Sequence, residues 1–310
     1  MRDEFPGYYR PTVAEFGELW QKSTFLFDAN VLLNLYRYSD DTADQLLKLI
    51  TAIEKRIWIP HRFALEFHRR RCELIVEQAG HYNAVAKRLG EILHQEFKSR
   101  RKHPFLKPEI LGRFEALVEE LEGALTASRD RHEALLLDDS YLGSLSKLFS
   151  GKVGPPYTEE QVSKHYEEGK RRYAKRIPPG YKDESKPEPD RYGDYIAWRQ
   201  LLDHAKDTKS PVILITDDAK EDWWLQVRGD LTIGPRPELV AEFRRETSSA
   251  FYMYSVNEFM KRAADYLVLR PLGFDSVVAE YSARVIDAEL PVDGSSLAIG
   301  FDRPRSYFAL

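Results

Sequence analysis

Cysteine occurs once, at Cys72, so the chain can form no internal disulfide and no thiolate cluster for zinc. No apolar run approaches the roughly 18 residues needed to cross a bilayer. The opening Met1-Arg2-Asp3-Glu4-Phe5-Pro6 is too acidic and too broken for a secretory signal. There is no bulk charge of one sign: 46 Lys and Arg stand against 50 Asp and Glu, a formal net charge of −4 that by itself points to neither nucleic acid nor membrane. No internal repeat is visible. These absences predict a reducing, cytoplasmic compartment and no membrane partner. What is present is ordinary for a globular protein, with 43% hydrophobic and 31% charged residues. The 310 residues allow one large domain or two small ones.

Short apolar runs alternate with helical periodicity. Residues 24–28 read as a buried strand ending in Asp28, followed by a helix over 31–36. Residues 40–56 have helical spacing at Leu46, Leu47, Ile50 and Ile53, and 57–59 form a second strand stopped by Pro60. Pro60 then opens a long helix reaching at least residue 97, at a position where proline is tolerated. Further helices are predicted at 110–127, within 138–150 and at 158–175, with a polar, proline-rich loop at 182–190. The rhythm resumes with a helix at 192–205, an apolar strand at 212–216, a helix at 220–227, a short strand at 231–233, a helix at 237–245, a strand at 251–255 and a helix at 256–267. This alternation indicates an α/β fold with a central parallel sheet covered on both faces. It divides the chain into an N-terminal arm (1–23), a catalytic domain (24–97 and 190–269), a large helical insertion (98–189) and a tail (270–310).

Open parallel sheets bind ligands outside the carboxyl ends of their strands. The sequence directs six carboxylates there: Asp28, Glu66, Asp194, Asp217, Asp218 and Asp222. Such a cluster repels itself, by about 4 kcal/mol per pair at 4 Å and an effective dielectric of 20. It persists only if some members are protonated or a cation binds. Oxygen donors without Cys or His favour a hard ion, Mg²⁺ or Mn²⁺, and an ion so held suits phosphodiester hydrolysis. Each acid also has a plainer reading. Asp28 could close a turn, Glu66 could pair with Arg62 or Arg70 four residues away, Asp194 could cap its helix, and one of Asp217 and Asp218 could cap the next. Asp222 taken alone is an ordinary solvated helix residue.

Phe27-Asp28-Ala29-Asn30-Val31-Leu32, Glu66 on a proline-led helix, Gly193-Asp194-Tyr195-Ile196 and Ile215-Thr216-Asp217-Asp218 resemble, in order, the four acidic motifs of PIN-domain nucleases. The stretches Lys220-Glu221-Asp222-Trp223-Trp224 and Gly234-Pro235-Arg236-Pro237-Glu238-Leu239 resemble a bacterial PIN-like subfamily with longer chains. The resemblance covers residues 24–97 and 190–267. It implies a three-layer α/β/α fold and Mg²⁺- or Mn²⁺-dependent cleavage of RNA, less often of structured DNA. It further implies catalytic, metal-holding roles for Asp28, Glu66, Asp194 and Asp218, shared by Asp217 or Asp222, with Asn30 and Thr216 in support. The 127 residues between Glu66 and Asp194 depart from the compact members of the family.

Between Lys55 and Arg113 there are fourteen Lys and Arg against six acids, and five of the eight histidines. Here Arg70, Arg100, Arg101 and Lys102 are candidate contacts to a phosphate backbone. Arg171 and Arg172 form part of a second cluster near Tyr166 and Tyr173, rings available to stack bases. The plain alternative is a solvated helical face. A haloacid-dehalogenase-type phosphatase would need an acid where Asn30 stands. A silent docking module would gain nothing from a row of acids facing phosphates. The biological role, whether toxin, phage defence or RNA processing, stays open, as does a homodimer or inhibitor partner docking on the tail.

Overall fold

The computed structural model describes residues 1–98, 106–228 and 231–266. In chain order its strands are β1 (Thr24–Phe27), β2 (Ile57–Trp58), β3 (Val212–Ile215), β4 (Trp224–Val227), β5 (Leu231–Pro235) and β6 (Phe251–Tyr254). Four of them form one parallel sheet in the order β2-β1-β3-β6. β3 is buried along its whole length, and only Thr24 of β1 is partly accessible, which is why both read as unbroken apolar runs. Thr24 lies opposite Val212 and Phe27 opposite Ile215, while Val212 lies opposite Phe251. Pairing continues one residue further: the Asp28 N–H donates to the Ile215 carbonyl at 3.0 Å, and the Thr216 N–H to Tyr254 at 3.0 Å. The polar residues that follow these strands therefore emerge side by side at the carboxyl edge.

The helices are α1 (Val13–Lys22), α2 (Ala29–Leu33), α3 (Asp40–Ala52), α4 (His61–Ile92), α5 (Pro108–Ala134), α6 (Ser140–Leu148), α7 (Glu159–Ala174), α8 (Gly193–Thr208), α9 (Pro237–Thr247) and α10 (Val256–Tyr266). α3 packs with α10 and α6, whereas α8 packs with α4, α7 and α9. This is the pattern that right-handed crossovers place on opposite faces of a sheet. The chain has the three-layer α/β/α architecture of a PIN-like fold. α1 is held by a capping box between Thr12 and Glu15, and it buries Trp20 between Phe259 and Tyr266.

α4 leaves the body partway along. Its buried residues end at Ala79, and beyond that it runs alongside α5, whose single buried residue is Val118. Arg129 donates to Asn83 at 3.1 Å, Lys98 pairs with Glu115 at 3.3 Å, and Phe97 packs on Phe114. At the base of this hairpin, the His132 ring hydrogen-bonds the Tyr36 carbonyl at 3.1 Å and Asp139 takes both the Tyr36 hydroxyl and Arg71. The remainder of the region between α5 and α8 joins the central core, with Leu145, Leu148, Phe149, Tyr173 and Tyr181 in one continuous cluster with the sheet residues.

One local expectation fails. Residues 220–227 are not a helix: after a turn, Trp224–Val227 pairs antiparallel with Leu231–Pro235 as a separate hairpin. Trp223 and Trp224 are buried, and that anchoring outweighs the helix-compatible spacing. Residues 182–190 form the exposed loop expected, with one exception: short helical turns at Tyr181–Asp183 and Asp190–Tyr192 bracket it, and Asp183 is buried.

Candidate active site

Asp28 follows β1 as the residue before α2, and it is 8% exposed. One carboxylate oxygen, Oδ2, accepts from Thr216 Oγ1 at 2.7 Å and from Asn30 Nδ2 at 3.3 Å. Burial raises its pKa against the Thr216 hydrogen bond, and the negative charges of Asp194, Glu66 and Asp218 raise it further, to about 7. These four acids, from four separate segments, thus share one field. Glu66, in the second turn of α4, accepts from Arg70 Nη1 at 3.2 Å, and Arg70 also reaches Asn30 Oδ1 at 3.4 Å.

Asp194 and Asp218 lie on the other half of the rim. Asp194 does not cap α8, since the residue preceding that helix is Tyr192; its Oδ2 instead accepts from Trp223 Nε1 at 3.3 Å and pairs with Lys220 Nζ at 3.5 Å. Burial raises its pKa, Lys220 lowers it, and Asp218, Asp183 and Asp222 raise it again, to about 7. Asp218 receives the Lys220 N–H on Oδ1 at 3.0 Å and the Lys220 ammonium on Oδ2 at 2.7 Å, while its own N–H donates to Thr216 Oγ1 at 3.0 Å. Asp183 pairs with the same ammonium at 3.0 Å. Burial opposes the charge on Lys220, but Asp194 and Asp218 overcome it and hold the proton above the ordinary lysine range.

Two acids of the expected metal set are hydrogen-bonded into the frame. Asp217 accepts from Asn34 Nδ2 at 2.8 Å, the Tyr38 hydroxyl at 3.3 Å and the Val256 N–H at the start of α10 at 2.9 Å. The paired aspartates therefore divide the work: Asp217 braces α10 and Asp218 faces the rim. Asp222 is fully buried, and its Oδ2 accepts the N–H groups of Gly180 and Lys182 at 2.9 and 3.0 Å. Gly180 has φ +94°, a left-handed conformation, and a side chain there would collide with the Tyr173 hydroxyl. Asp222 thereby fixes the turn that delivers Asp183. Asp222→Ala, which strands two buried donors, is expected to lower stability by about 2–4 kcal/mol in urea melts. An unchanged midpoint would show that the turn needs no anchor.

Among the basic candidates, Arg172 needs correction. It is 5% exposed, grips Glu242 with both terminal nitrogens at 2.6 and 2.8 Å and donates to the Pro178 carbonyl, so it holds α7 to α9 and has no face for phosphate. Arg172→Ala is expected to cost about 3–5 kcal/mol by leaving the buried Glu242 with only the Trp198 N–H and the distant Arg245 as partners. Below the melt, the salt dependence of nucleic-acid binding should stay unchanged; a shallower slope would return Arg172 to the phosphate contacts. Tyr173 is likewise buried and packs on Tyr192, as Tyr166 does. Arg171 is exposed and pairs with Glu168 on its own helix. Arg100, Arg101 and Lys102 lie outside the described residues, as does the tail from 270.

The donors fit a hard divalent ion in kind. They are carboxylate oxygens on rigid segments, and burial first, with neighbouring acids adding to it, pushes two of them, Asp28 and Asp194, up to about 7. As placed, no three Asp, Glu, His or Cys side chains among the described residues converge tightly enough to share an ion. The sequence did not reveal Asp183 or the role of Lys220; the only hint was the Pro178-Pro179-Gly180 turn ahead of an acid. Beside Asp217 and Asp218 opens a cleft of about 1160 Å³ lined by Tyr38, Tyr252, Arg10, Arg37 and Arg262 among others. Among the described residues no helix is long and apolar enough to cross a membrane.

A family model described as "PIN like domain" matches residues 24–239, more than two thirds of the chain and both halves of the acidic rim. No curated protein and no solved structure gives a significant match. The order of the acids along the chain and the parallel sheet that gathers them agree with that match, and the chain belongs to the PIN-like domain family.

Proposed function

We propose that the protein is a Mg²⁺- or Mn²⁺-dependent endonuclease that hydrolyses phosphodiester bonds, with RNA as its substrate. PIN-like domains are generally nucleases, which supports hydrolysis of nucleic acid at the level of the family. The observation that carries the reading is that Asp28, Glu66, Asp194 and Asp218, from four separate segments, gather at the carboxyl edge of the parallel sheet; their charges, with burial, raise the pKa of Asp28.

In this reading the ion sits against Asp28 and Glu66, and Asp194 and Asp218, which Lys220 engages, complete the acidic rim. Bound there, the ion would lower the pKa of water to yield hydroxide near neutral pH and polarise the phosphate. The chain's own groups do the rest. Thr216 and Asn30 both fix Oδ2 of Asp28, so that Oδ1 would be the oxygen available to an ion. Arg70, half-exposed beside Glu66, neutralises the approaching phosphate. The cleft beside Asp218 has room for nucleotides on one side of the scissile bond, with tyrosine faces for bases and arginines for the backbone.

The test incubates the full chain with labelled single-stranded RNA, duplex RNA and duplex DNA, in Mg²⁺, in Mn²⁺ and in EDTA. Cleavage of RNA only in the presence of the ions is the expected result. Cleavage confined to structured DNA would make this a DNA nuclease, and binding without cleavage would make it a docking module.

A further inference from the structure

We infer that Lys220 is a built-in cation of the acidic rim, standing where a second divalent ion would bind, so that the site loads one Mg²⁺ or Mn²⁺ on the side of Asp28 and Glu66. The inference deepens the metal-dependent reading above and rests on it. Three carboxylates from three separate segments surround one ammonium: Asp218 at 2.7 Å, Asp183 at 3.0 Å and Asp194 at 3.5 Å. An ammonium has three donors and no acceptor, so this arrangement uses its full capacity. The residue is also fixed through its main chain. Its N–H donates to Asp218, and its carbonyl accepts from the N–H groups of Trp223 and Trp224. Its backbone is therefore fixed, and the three carboxylates hold its side chain.

Paired-ion sites hold their ions about 3.5–4 Å apart, so an ammonium bound to Asp194 and Asp218 excludes a divalent ion from the same oxygens. Asp183 is 5% exposed and shared between Lys220 and Lys186, which assigns it to anchoring the ammonium.

The experiment counts Mn²⁺ bound per chain by calorimetry, without nucleic acid, in the wild type, in Lys220→Met and in the charge-balanced Lys220→Met/Asp183→Asn. One ion is expected in the wild type and two in either folded variant, as Asp194 and Asp218 are released to bind. Two ions in the wild type, or one in a folded variant, would overturn the inference. If both variants fail to fold and millimolar Mn²⁺ does not restore them, it is overturned as well, because a divalent ion should replace the lost ammonium. RNA cleavage is measured separately. One ion without cleavage would end the nuclease reading and leave Lys220 in its role; two ions with cleavage would do the reverse. No ion bound at all would end both.

Discussion

Asp28→Asn is expected to reduce ion-dependent cleavage roughly 10³-fold while leaving the ion-free protein at least as stable as the wild type. The first effect follows from losing one anionic donor at a site where the ion is asked to supply several kcal/mol of transition-state stabilisation. The second follows from the geometry. Thr216 and Asn30 both donate to Oδ2, so the carbonyl oxygen of an asparagine can keep both hydrogen bonds, and only the second oxygen becomes an amide. The substitution removes a buried charge repelled by Asp194, Glu66 and Asp218 and leaves the packing alone. Rates at saturating Mn²⁺ and melting temperatures at pH 8 in EDTA check the two halves. A destabilised variant would mean that Asp28 is a structural acid, and undiminished cleavage would remove it from the reaction.

Without ions, the protein should lose stability as pH rises from 5 to 8, and Mn²⁺ should reverse that slope. Asp28 and Asp194 both keep their protons up to about 7 in the folded chain, whereas in the unfolded chain each releases its proton near 3.8. Between those values the folded state binds more protons, so stability falls as pH rises and levels off above about 7. Either residue alone contributes at most about 4 kcal/mol to the fall. A divalent ion binds only the ionised, folded rim and stabilises it more at pH 8 than at pH 5. Urea midpoints across this range, with EDTA or with Mn²⁺, give the comparison. Rising stability in EDTA would show that the two carboxyls ionise freely in the fold.

The central architecture was legible because it is written locally. Phe25–Phe27 and Val212–Ile215 are apolar without interruption, each is followed by a polar residue, and each is buried in the sheet as that pattern requires. Proline ahead of α4 marked its start and so placed Glu66. What could not be read depends on partners far away in the chain. Arg172 stands in a run of charges that looks solvated, and it is buried by Glu242, seventy residues on. Asp183 lies in a stretch whose composition indicates a loop, and its place is set by Lys220. The 220–227 segment carries a spacing compatible with a helix, but its two tryptophans anchor a hairpin whose outer residues Val227, Leu231 and Ile233 are exposed, so no alternation announces a strand. The doubling of Asp217 and Asp218 showed that a site was near, but it could not say which of the pair would face it.

The length of α4 works as a ruler. The same continuous helix presents Glu66 in its second turn and ends at Ile92, beyond the last residue it buries in the body. Twenty-six residues at 1.5 Å each separate those two points by about 39 Å along the axis. A B-form DNA duplex advances about 3.4 Å per base pair, so a DNA duplex touching both the acidic rim and Ile92 must extend over roughly a dozen pairs. Shorter DNA duplexes can meet the reacting groups or Ile92, not both at once. Any preference for long substrates would thus be a matter of span, set by how far this helix runs past Ala79.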